Sequence, residues 1–220
     1  MISRYTLLFF LLPFTSALGQ LANPNSLTVS IDGTSFTTQP RRIRIGNYWW
    51  VTANTVKPDK SLRLWLGRYD GRDVLEPGNY LVVDADNPDT RDNKRRIEDL
   101  GTYKGFAVIK YVEETKSPRM EYHVGKSQNG DGIVTVVAST DGLLTARFGG
   151  TLAGSYWKER ASATVFGGMN RLVGKLEDKA ITKASGYDSD IDPEGNGYKR
   201  LDKKDQVVLT NGTFTLQFKK

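Results

Sequence analysis

Short runs of alternating apolar and polar residues, separated by glycine-containing turns, recur along most of this 220-residue chain. Residues 27–31 form one such run and are followed by Asp32-Gly33, and residues 132–139 and 143–153 form the clearest pair, joined at Asp141-Gly142. A period of two places every second side chain on the same face of a strand. Asp-Gly provides the positive φ angles that a tight hairpin turn needs. The pattern therefore predicts β-hairpins through most of the chain.

The fold class predicted from these hairpins is all-β, with an antiparallel β-sandwich as the expected architecture. A partly open β-barrel is the alternative, because hairpins alone do not distinguish the two. Polar stretches near 84–100 and 185–204 interrupt the alternation, and we interpret them as excursions from a single domain spanning 20–220. The first excursion has the composition of a long loop or a short surface helix. We expect the second to lead into a last strand that begins at Gln206.

Residues 1–19 have the composition of a secretory signal peptide. Arg4 provides a positive start, residues 7–14 are an apolar run, and Ala17 and Gly19 are the small residues expected before a cut ahead of Gln20. The apolar run is shorter than the roughly 20 residues that a transmembrane helix needs, and no later segment comes near that length. We therefore expect a secreted or periplasmic protein without a transmembrane segment.

The chain contains no cysteine and a single histidine, His123, which limits its chemistry. Disulfides, thiolate nucleophiles and cysteine metal sites are excluded, as is a zinc site with several histidines. The chain has no G-x-S-x-G motif of a serine hydrolase. The net charge of +6 is spread over short basic clusters, and no nucleic-acid-binding motif occurs. We expect no catalysis and no nucleic-acid partner; a glycoside hydrolase with a pair of carboxylates is an alternative that needs no histidine.

Three tryptophans are the candidate ligand-binding residues. Trp49 and Trp50 are adjacent in a predicted strand, so they lie on opposite faces, and one of them belongs to the core. Trp65 lies on the face opposite to the leucines of its own predicted strand. Exposed rings on a sheet can pack against the C–H groups of a sugar, although aromatic residues more often supply packing area inside a core. We predict a glycan-binding surface that uses Trp49, Trp50 and Trp65, with a second buried face as the alternative.

The stretch DSDIDPEGNG places Asp188, Asp190 and Asp192 at alternate positions. Carboxylate oxygens are the ligands that calcium prefers. The stretch is not an EF-hand, because Pro193 and Lys199 stand where that motif needs a glycine and a glutamate. A looser calcium site formed by the three aspartates is one interpretation, and a solvated loop balanced by the basic residues that follow it is the other. The calcium site would belong to a calcium-dependent adhesive or structural protein.

Several short motifs resemble those of small exported β domains of Bacteroidota, many of them lipoproteins, whose function is unknown. The motifs are Val29-Ser-Ile-Asp-Gly33, Leu75-Glu-Pro-Gly-Asn-Tyr-Leu81, Ile133-Val-Thr-Val136 followed by Phe148-Gly-Gly-Thr-Leu152, and Leu209-Thr-Asn-Gly-Thr-Phe214. The chain departs from the lipoproteins at Gln20, where they have a cysteine. The resemblance implies an exported β domain. These families have no known active site, so the resemblance assigns no catalytic residues to this chain. We therefore expect a binding or structural module that contacts a glycan or another component of the cell envelope, and its oligomeric state stays open.

Overall fold

A computed structural model describes residues 25–45, 48–55, 59–70, 75–116, 121–138, 143–160, 193–194 and 198–217. Eleven strands and one helix account for most of these residues. The strands are β1 (Ser26–Ile31), β2 (Thr34–Thr38), β3 (Arg41–Ile45), β4 (Tyr48–Asn54), β5 (Lys60–Gly67), β6 (Gly78–Val82), β7 (Tyr103–Lys116), β8 (Glu121–Lys126), β9 (Ile133–Ala138), β10 (Leu143–Glu159) and β11 (Tyr198–Gln217), and the helix is α1 (Arg91–Leu100). The prediction of an all-β fold is confirmed. The proposed signal peptide, residues 1–19, lies outside the described residues.

All eleven strands belong to one sheet in the order β2-β1-β11-β10-β9-β6-β7-β5-β4-β3. β8 lies off this path and pairs with both β7 and β10. The long strands β7 and β10 are therefore connected directly through β8 at one end and through β6 and β9 at the other. Strands far apart in this order share one buried core, with Leu27 and Phe36 from β1 and β2 in the same cluster as Leu64 from β5. The sheet therefore folds over this core, as the layers of a sandwich do.

The helix α1 connects the two parallel strands of the sheet. β6 pairs with β7 in parallel, and the other strand pairs of the described residues are antiparallel. A parallel pair needs a crossover connection, which is commonly helical. Thr90 caps the start of α1 by accepting a hydrogen bond from the Asn93 N–H at 3.2 Å, and Gly101 ends it with a φ of 59°. The polar stretch near 84–100 is thus this crossover, and the short-helix interpretation is confirmed.

The last strand begins earlier than the sequence suggested. β11 starts at Tyr198, so Tyr198–Lys204 belong to a strand and not to the excursion predicted near 185–204. The residues from Lys199 to Gln206 are almost all exposed, and among the described strands they pair only with β10. Because neither face of this segment is apolar, it shows no alternation in the sequence. β11 continues through Asn211, which has a φ of 54° and lies where the register between β10 and β11 shifts.

Among the described residues, no helix is both long enough and apolar enough to cross a bilayer.

Ser127 is fully buried and lies where the strand paired with β7 changes from β6 to β8. The pairing with β6 ends at Ala107, and the pairing with β8 begins at Lys110. The Ser127 hydroxyl accepts a hydrogen bond from the Ile109 N–H at 3.1 Å and donates one to the Val83 carbonyl at 2.8 Å. The Ser127 N–H donates to the Ile109 carbonyl at 2.9 Å. These bonds satisfy backbone groups that the change of neighbour would otherwise leave buried without partners.

We expect Ser127→Ala to lower the free energy of unfolding by about 1–3 kcal/mol, because it leaves a buried N–H and a buried carbonyl without their hydroxyl partner. Urea denaturation at neutral pH measures this loss. The matched control is Ser26→Ala, at an exposed position in β1, which is expected to change stability by less than about 0.5 kcal/mol. Similar small losses in both variants would contradict the role assigned to Ser127.

Candidate functional site

The structure places Trp49 and Trp50 on opposite faces of β4, as the sequence predicted. Trp49 lies opposite Leu66 of β5 and packs against the larger core. Trp50 lies opposite Trp65 on the other face of the sheet. All three tryptophans are half-buried, so each keeps some contact with solvent. Of the two adjacent tryptophans, Trp49 is the one that packs against the larger core, from a half-buried position.

Trp50 and Trp65 form an aromatic pair. Their ring centroids are 4.7 Å apart and their planes are inclined by 33°. Trp65 also packs against the smaller apolar cluster formed by α1, β6 and β7. A close, tilted pair of this kind gains interaction energy beyond the apolar area that it buries. The pair therefore provides a preformed and partly accessible aromatic surface on the face of the sheet opposite to the larger core.

Four basic residues lie in one row beside this pair. The strand register places five residues side by side across five neighbouring strands. They are Arg41 of β3, Thr52 of β4, Arg63 of β5, Lys110 of β7 and Lys126 of β8, and four of them are basic. We call these residues the basic row. It shares a face with the aromatic pair, because Arg63 and Trp65 are two positions apart in one strand. Arg63 is only 3% exposed and Lys110 only 7% exposed. Like charges that face one another across strands repel, so the row requires anions.

Glu194 supplies one of these anions. One of its carboxylate oxygens contacts the Lys110 ammonium, and the other lies 2.5 Å from the Lys126 Nζ. Asp86 lies 2.5 Å from the same Lys126 Nζ on its more exposed side. Desolvation is the largest effect on Lys126 and lowers its pKa, but hydrogen bonds to Asp86 and Glu194 together raise the pKa of Lys126 above its usual value. Lys126 therefore stays charged at neutral pH.

The three aspartates of the predicted calcium site, Asp188, Asp190 and Asp192, lie outside the described residues. Two residues of the same acidic stretch are described: Pro193 is buried, and Glu194 pairs with lysines of β7 and β8. In the described part of the chain, no group of three or more His, Cys, Asp or Glu side chains could hold a metal ion. The calcium site stays a prediction.

A second polar cluster, on the other face of the sheet, was not found from the sequence. The register aligns Lys60, Glu113, His123 and Tyr156 across β5, β7, β8 and β10. His123 Nε2 lies 2.8 Å from Asp205 Oδ1, and the Tyr156 hydroxyl donates a hydrogen bond to Asp205 Oδ2 at 2.7 Å. The rings of His123 and Tyr156 stack with their centroids 4.4 Å apart. The only histidine of the chain is thus fixed between a carboxylate and an aromatic ring.

Local backbone features allow this cluster to form. Gly154 lies directly opposite Asp205, and a Cβ at position 154 would lie 1.8 Å from Asp205 Oδ1. Next to Tyr156, β11 advances by four residues while β10 advances by two. This bulge coincides with the position of Lys203, whose ammonium lies 3.9 Å from the centroid of the Tyr156 ring. The missing side chain at Gly154 thus leaves the space that Asp205 occupies, and the bulge accompanies the contact of Lys203 with Tyr156.

The carboxylates of this cluster are already engaged. Glu113 lies 2.8 Å from the Lys60 Nζ and accepts a hydrogen bond from the Tyr111 hydroxyl at 3.0 Å. Lys60, Tyr111 and Glu113 also line a pocket of about 180 Å³ beneath the β1–β2 hairpin, to which Asp32 contributes a further carboxylate. The carboxylate-pair hydrolase named as an alternative above stays a prediction.

The pKa values of the cluster reflect these contacts. Desolvation is the largest effect on Tyr156 and, with the hydrogen bond to Asp205, raises the pKa of Tyr156 to about 12. For Asp205, desolvation is again the largest effect and raises the pKa, but the bonds from Tyr156 and His123 outweigh it and hold the pKa below the ordinary value of 3.8. The ionised form of Asp205 is therefore favoured in the folded state.

A depressed carboxyl pKa gives stability that is present above its unfolded value and is lost as the pH falls through the folded value. We expect Asp205→Asn to destabilise the protein at pH 7 by a modest amount, since this side chain is 36% exposed and water screens its charge. The difference between wild type and variant should shrink below about pH 4. Denaturant midpoints at pH 7 and pH 3 measure it, with Asp202→Asn on the exposed part of β11 as control. A pH-independent difference would count against the Asp205 interactions.

Comparisons of the chain with protein-family models, with curated proteins and with solved structures give no match. The resemblance to exported β domains of Bacteroidota therefore stays a prediction. The site must be interpreted from its own geometry.

Proposed function

We propose that this chain is an exported, non-catalytic binding module of the cell envelope, and that it holds a glycan against Trp50 and Trp65. The observation that supports the proposal is the aromatic pair itself, with centroids 4.7 Å apart and both rings half-buried. The faces of sugar rings carry C–H groups that pack on aromatic rings, and their edges carry hydroxyls that need polar partners. The basic row beside the pair supplies such partners.

Trp49 is not part of the proposed binding surface. Its ring packs against the larger core, and the Arg42 guanidinium lies 5.3 Å from the ring centroid. A tryptophan held in this way stabilises β4, and through β4 it supports the position of Trp50 on the other face. The surface predicted from three tryptophans is therefore reduced to Trp50 and Trp65.

We expect Trp50→Ala and Trp65→Ala each to lower the affinity for a soluble polysaccharide by about tenfold or more, because each variant removes a large apolar contact. Affinity electrophoresis against xylan, a β-glucan and a polyuronate measures the effect, and circular dichroism verifies that the variants are folded. The control is Trp157→Phe, since Trp157 packs in a separate cluster and donates its indole N–H to Ser155. Binding that is retained in both alanine variants would refute the proposal.

If the chain is exported through a signal peptide, the mature protein has a defined first residue. After expression in a bacterial host with a secretory pathway, the exported protein should begin at Gln20, because residues 17 and 19 are the small residues that signal peptidase requires. Intact-mass measurement of the secreted or periplasmic fraction tests this. Ala17→Arg should prevent cleavage, whereas Ser16→Arg should not. Recovery of an uncleaved chain starting at Met1 in the cytosol would contradict the proposed localisation.

A further inference from the structure

Two lysines of the basic row, Lys110 and Lys126, together bind one carboxylate, and we call this lysine pair the cradle. Lys110 and Lys126 lie directly opposite each other in β7 and β8, and each contacts a different oxygen of Glu194. The backbone of both lysines is fixed by sheet pairing on rigid elements. Glu194, in contrast, lies outside the described strands and reaches both lysines with its side-chain carboxylate. The cradle is therefore built by the sheet, and Glu194 is the group that fills it.

The side chains that form and fill the cradle differ in their exposure to solvent. The Glu194 side chain is 22% exposed and that of Lys126 is 16% exposed, whereas that of Lys110 is 8% exposed. Asp86, the other partner of Lys126, is 58% exposed and lies outside the cradle. The side chain that fills the cradle therefore keeps contact with solvent, and so does that of Lys126.

Polar atoms without partners lie on the same face of the sheet as the cradle. Within the described part of the chain, the hydroxyls of Thr52 and Ser61 and the indole N–H of Trp65 are buried and have no hydrogen-bond partner. Thr52 is 2% exposed and Ser61 is 1% exposed. Thr52 lies opposite Arg63 across β4 and β5, and Ser61 and Trp65 are each two positions from Arg63 along β5, so all of them share its face. Buried hydroxyl and N–H groups without partners suit a ligand that brings its own hydroxyls.

The distances fit a single sugar residue. Trp65 pairs with Val108, two positions before Lys110, so Trp65 and Lys110 are diagonal neighbours on adjacent strands. Diagonal neighbours in an antiparallel pair are separated by roughly 7–8 Å. A hexose ring with a carboxylate on C5 spans a gap of this size, with its C–H face on the indole and its carboxylate at the lysine.

We propose that the Lys110–Lys126 cradle is the subsite for the carboxylate of an acidic sugar of the uronate type, and that Glu194 occupies it as an internal substitute in the free protein. The uronate carboxylate is the same chemical group as that of Glu194, so it can take over both lysine contacts without change in the lysines. The inference rests on the proposed function, because it requires the glycan to lie against Trp50 and Trp65. Binding of ligand and docking of Glu194 then compete for one site.

The test compares a soluble polyuronate with a neutral xylan, by calorimetric titration of the full mature chain and of single variants. Glu194→Gln removes the internal competitor and is expected to strengthen polyuronate binding by about tenfold, without changing xylan binding. Lys126→Gln is expected to weaken polyuronate binding by about tenfold and to leave xylan binding unchanged. The matched control is Asp202→Asn, which removes one negative charge from the exposed part of β11, away from the contacts of Lys110 and Lys126, and should not strengthen polyuronate binding.

Glu194 also neutralises buried cations, so Glu194→Gln could lower stability enough to prevent titration. Glu194→Asp then replaces it, because it keeps the charge but shortens the side chain by one methylene and weakens the internal contact. It should change polyuronate affinity in the same direction as Glu194→Gln, by a smaller factor. Polyuronate affinity that is unchanged or reduced in this variant would overturn the inference.

The outcomes separate this inference from the proposed function. Binding of xylan and polyuronate with equal affinity, dependent on Trp50 and Trp65 but not on Glu194 or Lys126, would overturn the uronate subsite and leave the glycan-binding proposal intact. No binding of any polysaccharide to wild type or to Glu194→Gln would overturn both. Stronger binding of a sulfated polysaccharide than of polyuronate to Glu194→Gln would assign the cradle to a different anion and overturn the uronate class.

Discussion

The hydrogen bonds of Ser127 hold the sheet together at its branching point. A strand normally keeps one neighbour on each side along its length, but β7 is flanked on one side first by β6 and then by β8. At such a change, backbone donors and acceptors lose their regular partners, and their burial without replacements is unfavourable. Ser127 supplies the replacements with one hydroxyl and its own backbone. β8 can therefore pair with β7 immediately beyond the end of β6.

The position of β8 in turn decides which side chains meet on each face of the sheet. On one face it brings Lys126 opposite Lys110, which creates the cradle for Glu194. On the other face it brings His123 opposite both Glu113 and Tyr156. Both polar clusters depend on the same six-residue strand, because it pairs with both β7 and β10. A single branching point thus organises the chemistry of two opposite faces.

The elements that local patterns determine were predictable from the sequence. Alternation over residues 143–153 predicted a strand with one apolar face, and Leu144, Ala146 and Phe148 of this strand are all buried. The opposite orientation of Trp49 and Trp50 followed from their adjacency in one strand. These features depend only on the period of a strand and on the conformations that glycine and asparagine allow in turns.

The contacts between distant segments were not predictable in the same way. Glu194 belongs to an acidic stretch that suggested calcium, and nothing local indicates that its partners are lysines of β7 and β8. His123 meets Asp205 because β8 and β11 lie on the two sides of β10 and because Gly154 carries no side chain that would occupy the space of Asp205. Strand order follows from the packing of the whole chain, which one sequence does not display. The early start of β11 was missed for a different reason, since a strand that is polar on both faces lacks the alternation used to recognise strands.

The exposed first half of β11 has a consequence for the behaviour of the protein in concentrated solution. From Lys199 to Gln206 this strand pairs only with β10 among the described strands, and its side chains are almost all exposed. The edge of an exposed strand can template the addition of strands from other molecules, which is how sheet proteins begin to form fibrils, and charged side chains are one of the features that prevent this. The lysines, arginine and aspartates of this segment oppose such stacking by placing dense charge along the edge. The same polar side chains that remove the apolar alternation from this part of the sequence thus also oppose the aggregation of the protein.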